Sequence, residues 1–170
     1  RWRLVAELPE DATDLHLSWD FEAEANSEDI AIFLQRLDGE TPVGAPVDMR
    51  SKRALDIAES TSFALLYGME TEGLPIAASS GWNFIGIPVV TTASFADILG
   101  PLLPDSGIIT IWGWSHRAYK PVSAASSPNP ERAYWAYLSA GTGPAYSGLM
   151  ADGLVNLSSG WNAVSPTTDV

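Results

Sequence analysis

Asp14-Leu15-His16-Leu17-Ser18-Trp19-Asp20 alternates apolar and polar side chains with a period of two residues. In an extended chain successive side chains point to opposite faces. Leu15, Leu17 and Trp19 therefore share one face, and His16, Ser18 and Asp20 share the other. Such a segment reads as a half-buried antiparallel strand. Similar short runs recur at 2–8, 30–37, 47–50, 54–58 and 62–67. Between them stand Pro9-Glu10-Asp11, Asp38-Gly39-Glu40 and Pro42-Val43-Gly44, which carry turn chemistry. Nothing over residues 1–72 has the apolar spacing of a long helix.

Five or six strands at roughly ten-residue spacing predict an all-β sandwich of immunoglobulin or fibronectin type III character over 1–72. The chain has 170 residues, enough for one ordinary domain or two small ones. Hydrophobic residues make up 46% and charged residues 18%, so it can build a core and is not a disordered tail. Nine Lys and Arg against 21 Asp and Glu give a formal net charge of -12. A surface that acidic repels phosphate backbones and anionic headgroups, which argues against nucleic acid and membrane surfaces as partners. No run of apolar residues is long enough to cross a bilayer as a helix, and no signal-peptide pattern is present. A start at Arg1 rather than Met points to a processed protein or a piece of a longer one.

The charge is lopsided. Residues 1–72 hold 16 acids and 6 bases, a net of -10, whereas residues 73–170 hold 5 acids and 3 bases, a net of -2. Eleven of 14 Gly, 9 of 12 Pro and 5 of 7 Trp lie after residue 72. A shift of this kind marks a domain boundary, and Gly68-Met69-Glu70-Thr71-Glu72-Gly73 reads as the joint. The expected organisation is an acidic sandwich over 1–72 and a Trp-rich antiparallel β-module with one short helix over 73–170.

No cysteine is present, so disulfide frameworks, zinc ribbons and thiol enzymes lose their residues. His16 falls on the polar face of its strand and reads as a surface residue rather than a base or ligand. Asp11, Asp14, Asp20, Glu22, Glu24, Glu28 and Asp29 form an acidic cluster. It lacks the spacing and central glycine of a calcium loop, so a solvated face is the expectation.

In the second half, Ser79-Ser80-Gly81-Trp82-Asn83 recurs as Ser158-Ser159-Gly160-Trp161-Asn162. Ser-Gly supplies a tight turn, Trp a large anchor expected to be buried, and Asn a local backbone partner. This reads as two starts of one β-unit, the second pairing beside Gly81-Trp82-Asn83 to close the domain. Two aromatic strands lie between them. Residues 108–114 end in Ile-Trp-Gly-Trp, with Trp112 and Trp114 on one face, and Tyr119 follows after Ser115-His116-Arg117. Then comes Ala133-Tyr134-Trp135-Ala136-Tyr137-Leu138. A short helix is predicted over 94–99. Ser94 and Asp97 have capping-box spacing, Phe95, Ile98 and Leu99 form its apolar stripe, and Gly100-Pro101 stops it.

The order Gly-Trp-Asn-x-Ile-Gly-x-Pro, then Trp-x-Trp-x(4)-Tyr, then Tyr-Trp-x-Tyr, then a fresh Gly-Trp-Asn resembles accessory modules of bacterial secreted and cell-surface proteins. The likeness covers residues 75–166, and 1–72 is similar, more loosely, to the immunoglobulin-like part that precedes such modules. It implies a secreted or cell-surface location, neighbouring domains of a longer parent protein as partners, and no assigned catalytic residues. One departure is Glu131-Arg132-Ala133, where such modules carry a Pro-Gly-x-Gly turn.

The residue inventory offers little catalysis. A Ser-His-acid site needs three groups in reach, and only His16 and His116 are available, with no Gly-x-Ser-x-Gly elbow. Neither histidine has a second metal ligand nearby in sequence, and no phosphate-cradling glycine loop exists. No catalytic residue, metal or cofactor is expected. A fragment of a hydrolase ranks third among the readings. Trp112, Trp114, Tyr119, Trp135 and Tyr137 are the candidates for a positive function. They could stack on sugar rings as a polysaccharide-binding platform. The short aliphatic runs around them make core filling the first expectation. The leading functional reading is a non-catalytic accessory, structural or interaction module of a larger exported bacterial protein, with carbohydrate binding as the alternative.

Overall fold

The computed structural model describes residues 2–10, 12–20, 30–39, 41–104, 110–140, 145–150 and 162–165. They are built from antiparallel strands and one short α-helix, an all-β protein. Two compact units are present, Arg1–Glu70 and Thr71–Val170.

The first unit contains β1 (Trp2–Ala6), β2 (Leu15–Ser18), β3 (Ile30–Asp38), β4 (Thr41–Pro42), β5 (Val47–Asp48), β6 (Ala54–Ile57) and most of β7 (Thr61–Pro75). β3 pairs with β7 from Ile30↔Met69 to Leu37↔Ser62, and β1 pairs with the start of β7. β4 and β5 pair with β3, while β2 and β6 form a separate ladder. Ile32, Leu34 and Phe63 meet Met49 and Ile57 in the core, and Leu15, Leu17 and Trp19 pack against them. The apolar face of the opening stretch thus turns inward. His16 and Ser18 are exposed, and the Trp19 indole Nε1–H donates to the Met49 carbonyl at 3.0 Å.

Arg50 ties three strands of this unit together. Its guanidinium donates to Asp48 at 2.8 Å, to Glu70 at 3.2 Å and to the Ile30 carbonyl at 2.8 Å. Burial pushes the Asp48 carboxyl up, but hydrogen bonds and charge from Arg50 outweigh it and leave it below its ordinary value. Residues 68–73, expected as a joint, are continuous strand within β7. Ladder hydrogen bonds along Met69 and Gly68 outweigh the turn preference of the flanking glycines.

The second unit contains β8 (Gly81–Gly86), β9 (Val89–Val90), α1 (Phe95–Leu99), β10 (Ile111–Ser115), β11 (Ala118–Pro121), β12 (Ala133–Leu138) and β13 (Ala145–Met150). Four of these strands form one sheet in the order β11-β10-β12-β8. β13 pairs with β9, and Thr71 at the end of β7 donates its hydroxyl to the Gly148 carbonyl at 2.8 Å. Gly148 is required there, because a Cβ would stand 2.5 Å from the Val90 carbonyl oxygen.

The helix forms as its capping box predicts. The Ser94 hydroxyl accepts from the Asp97 N–H, and the Asp97 carboxylate accepts from the Ser94 N–H at 2.8 Å. The N–H groups of Phe95 and Ala96 are taken up by the carbonyls of Ser126 and Ala124, so the helix start has its donors satisfied. Phe95, Ile98 and Leu99 enter a core shared with Ile85, Ile87, Ile111, Ala136 and Leu138. Burying each such large apolar side chain contributes about 1.5–3 kcal/mol.

The closing pair expected beside Gly81-Trp82-Asn83 falls on Gly160 and Trp161, which lie outside the described residues. Val164 bridges to Arg132, and the Ala133 N–H donates to the Ala163 carbonyl at 3.1 Å. Gly81-Trp82-Asn83 pair with 136–138 of β12 on one side of β8. Residues 158–161 of the second copy lie outside the described residues. Among the described residues no helix is long and apolar enough to cross a membrane.

Candidate functional site

The sheet β11-β10-β12-β8 has two faces of opposite character, and the register shows why. Directly opposed residues in an antiparallel ladder lie on the same face. Trp82 opposes Tyr137 and Phe84 opposes Trp135. Trp135 also opposes Trp112, Trp112 opposes Pro121, and Trp114 opposes Tyr119. All seven aromatics therefore project from one face. The intervening Ile85, Tyr134, Ala136 and Ile111 project from the other, into the core.

The aromatic face is open. Trp82 is 55% exposed, Phe84 50%, Tyr119 46%, Tyr137 40% and Trp135 36%. Trp112 and Trp114 are half-buried between their neighbours. These exposures leave about 450 Å² of ring surface in contact with solvent, taking about 200 Å² for a whole aromatic side chain. That is within the size of the largest apolar patch on an ordinary monomer, which is often functional. The rings support each other in pairs. Trp82 and Tyr137 meet edge-to-face at 5.4 Å, Trp114 and Tyr119 likewise at 4.9 Å, and Phe84 tilts against Trp135 at 5.1 Å.

Core filling by Trp112, Trp114, Tyr119, Trp135 and Tyr137 is thus overturned. Phe95 and Tyr134 supply the aromatic bulk instead, edge-to-face at 4.8 Å, with aliphatic residues of α1 and the strands around them. Tyr134 is buried with its hydroxyl accepting from the Asn129 N–H at 2.9 Å, and burial pushes its pKa up. Trp82 was likewise expected as a buried anchor and is the most exposed of the tryptophans above. It and Phe84 are the two face residues that the motif reading missed. Their signal lay in the alternation Trp82-Asn83-Phe84-Ile85, which sends Trp and Phe to one side and Ile85 to the other.

Local sequence sets this face. The Asn83 amide accepts from the Ser79 N–H at 2.9 Å and donates to the carbonyls of Ser79 at 2.7 Å and Gly81 at 2.9 Å. It locks the entry to β8, where Gly81 takes a φ of 101° that side chains disfavour. At the other end, His116 and Arg117 adopt φ of 51° and 63° in the two-residue turn joining β10 to β11. That left-handed pair is the geometry a tight hairpin needs, and it brings Trp114 beside Tyr119. The turn that leads into β12 is built by Asn129, whose side chain accepts from the Glu131 N–H at 2.9 Å.

The other candidates do not assemble. His16 pairs with Asp56 at 2.7 Å on the surface of the first unit, and His116 meets its neighbour Ser115 at 2.8 Å. Among the described residues neither pair has the third member that nucleophilic catalysis requires. Among the described residues no group of His, Asp or Glu could hold a metal ion, and much of the acidic cluster, including Asp11, Glu22 and Glu24, lies outside them. The first unit has a cleft of about 430 Å³ lined by Leu34, Leu55, Ile57 and Phe63. Of its charged lining residues, Arg36 and Glu59 pair with each other and Asp56 pairs with His16. Comparison with protein-family models, with curated proteins and with solved structures finds no match for the chain.

Proposed function

We propose that the chain is a non-catalytic accessory part of a larger exported bacterial protein, and that its second unit binds polysaccharide through the aromatic sheet face. The first unit serves in this reading as an immunoglobulin-like neighbour. The observation that carries the proposal is the open face itself. Seven aromatic side chains stand on one side of a four-stranded sheet whose other side packs the hydrophobic core around Phe95 and Tyr134. Exposed rings cost solvation free energy unless a ligand covers them, and flat π faces suit the apolar C–H faces of sugar rings. None of the seven is an acidic or basic residue, which suits a neutral polymer.

Affinity gel electrophoresis tests this reading. Migration in gels cast with xyloglucan, mixed-linkage glucan, galactomannan or glycol chitin is compared with migration in plain gels. At least one polymer should retard the native chain, and Trp135→Ala should abolish the retardation while leaving the circular dichroism spectrum unchanged. Equal migration in every gel would refute the proposal.

A further inference from the structure

The aromatics are not scattered over the face; they form an oblique track. Viewed in rows across the sheet, the first row places Trp82 on β8 and Tyr137 on β12. The next row places Phe84, Trp135 and Trp112 on β8, β12 and β10. The last places Trp114 on β10 and Tyr119 on β11. Each row is displaced toward β11 relative to the one before. Off the track the side chains are small. Gly86 and Ala133 oppose each other in one corner, and Ala133 is buried. The diagonally opposite corner, beyond Ile111 on β10, holds the buried Thr110.

We propose that this track takes an extended, neutral glycan chain lying obliquely across all four strands, rather than a single sugar or a chain end. The inference rests on the carbohydrate reading above and specifies its ligand. Strands about 4.8 Å apart and residues about 3.4 Å apart along them give the track a length of about 20 Å. That is the span of an oligosaccharide, not of a monosaccharide. The paired rings meet edge-to-face, so successive stations present faces at different angles. A chain with a twist between neighbouring sugars matches such stations better than a flat crystalline surface does. No carboxylate or ammonium stands among the track positions. Lys120 opposes Gly113, which places it on the reverse side of the sheet.

Isothermal titration with a length series tests the track separately from the carbohydrate reading. The probes are cellohexaose, xylohexaose, mannohexaose and chitohexaose, together with the disaccharide of each. The hexasaccharide that binds should do so at least tenfold more tightly than its disaccharide. Trp82→Ala and Tyr119→Ala lie at opposite ends and on exposed positions. Each should weaken hexasaccharide binding about tenfold, equivalent to about 1.4 kcal/mol, and change disaccharide binding less than about threefold. Equal affinity for hexasaccharide and disaccharide, or an effect at one end only, overturns the track while leaving sugar binding intact. No binding by any hexasaccharide overturns both. Tighter binding of polygalacturonate than of any neutral probe overturns the neutral ligand. Concentration-dependent dimerisation in sedimentation, abolished by Trp82→Ala, would assign the face to a second copy of the chain and overturn the proposal.

Discussion

Tyr134 and Trp135 are neighbours in β12 and live in different worlds. Tyr134 is 5% exposed, edge-on to Phe95 with its hydroxyl paired; Trp135 is 36% exposed beside Phe84 on the open side. The difference teaches that aromatic content says nothing about burial in a sheet, whereas phase along the strand says nearly everything. Both faces of the sheet are rich in rings or large apolar groups. Among the described residues only one has a second layer to receive them.

The largest effect that could break this contrast is expected at the core face. Phe95 is fully buried, so Phe95→Ala should lose about 3–5 kcal/mol in urea unfolding. A loss below about 1 kcal/mol would mean that α1 does not seal the core. Gly148→Ala comes next, because its new Cβ would collide with the Val90 carbonyl. Forcing those strands apart should cost about 1–3 kcal/mol by the same measurement. On the open face, Phe84→Ala removes one partner of a ring pair and no core volume. It should cost about 0.5–1.5 kcal/mol, and a cost as large as that of Phe95→Ala would erase the distinction between the faces.

Acid supplies the smallest effect, through Asp48 in the first unit and through Asp97, whose carboxyl the Ser94 hydrogen bonds hold below its ordinary value, at the cap of α1. The folded pKa of Asp48 lies below its ordinary value. Its contribution to stability is therefore present above the unfolded pKa of about 3.9 and is lost as pH falls through the lower folded value. The thermal midpoint should hold between about pH 7 and about pH 5 and decline below about pH 4, with Asp48→Asn flattening that decline. Glycan affinity should stay level over the same upper range, since no carboxylate lies on the track. A fall there would bring an acid into the site.

Much of the fold was legible in residue patterns. The alternation at 14–20, the strand at 133–138 and the capping box of α1 all follow from local periodicity and side-chain chemistry, and the structure has them. β9 and β13 were not legible. β9 has two residues, and β13 holds a glycine whose role depends on Val90 across the ladder. The candidate residues were legible, but their exposure was not. Which face of a period-two strand meets the core is a tertiary fact, settled here by α1 and by Ile85, Ile87 and Leu138 packing on one side. Trp82 was masked by its motif, since Ser-Ser-Gly-Trp-Asn reads as a turn with an anchor. In the structure the asparagine does the anchoring and the tryptophan faces out.

The indole N–H resonances in a proton–nitrogen correlation spectrum test the central claim most directly. Trp82, Trp112, Trp114 and Trp135 report on the open face, and Trp19, bonded to the Met49 carbonyl in the first unit, serves as an internal reference. Titration with the tightest-binding hexasaccharide should move the four face indoles saturably and leave Trp19 in place. Stationary face indoles, or a Trp19 that moves as far as they do, would contradict the assignment of this sheet face as the binding surface.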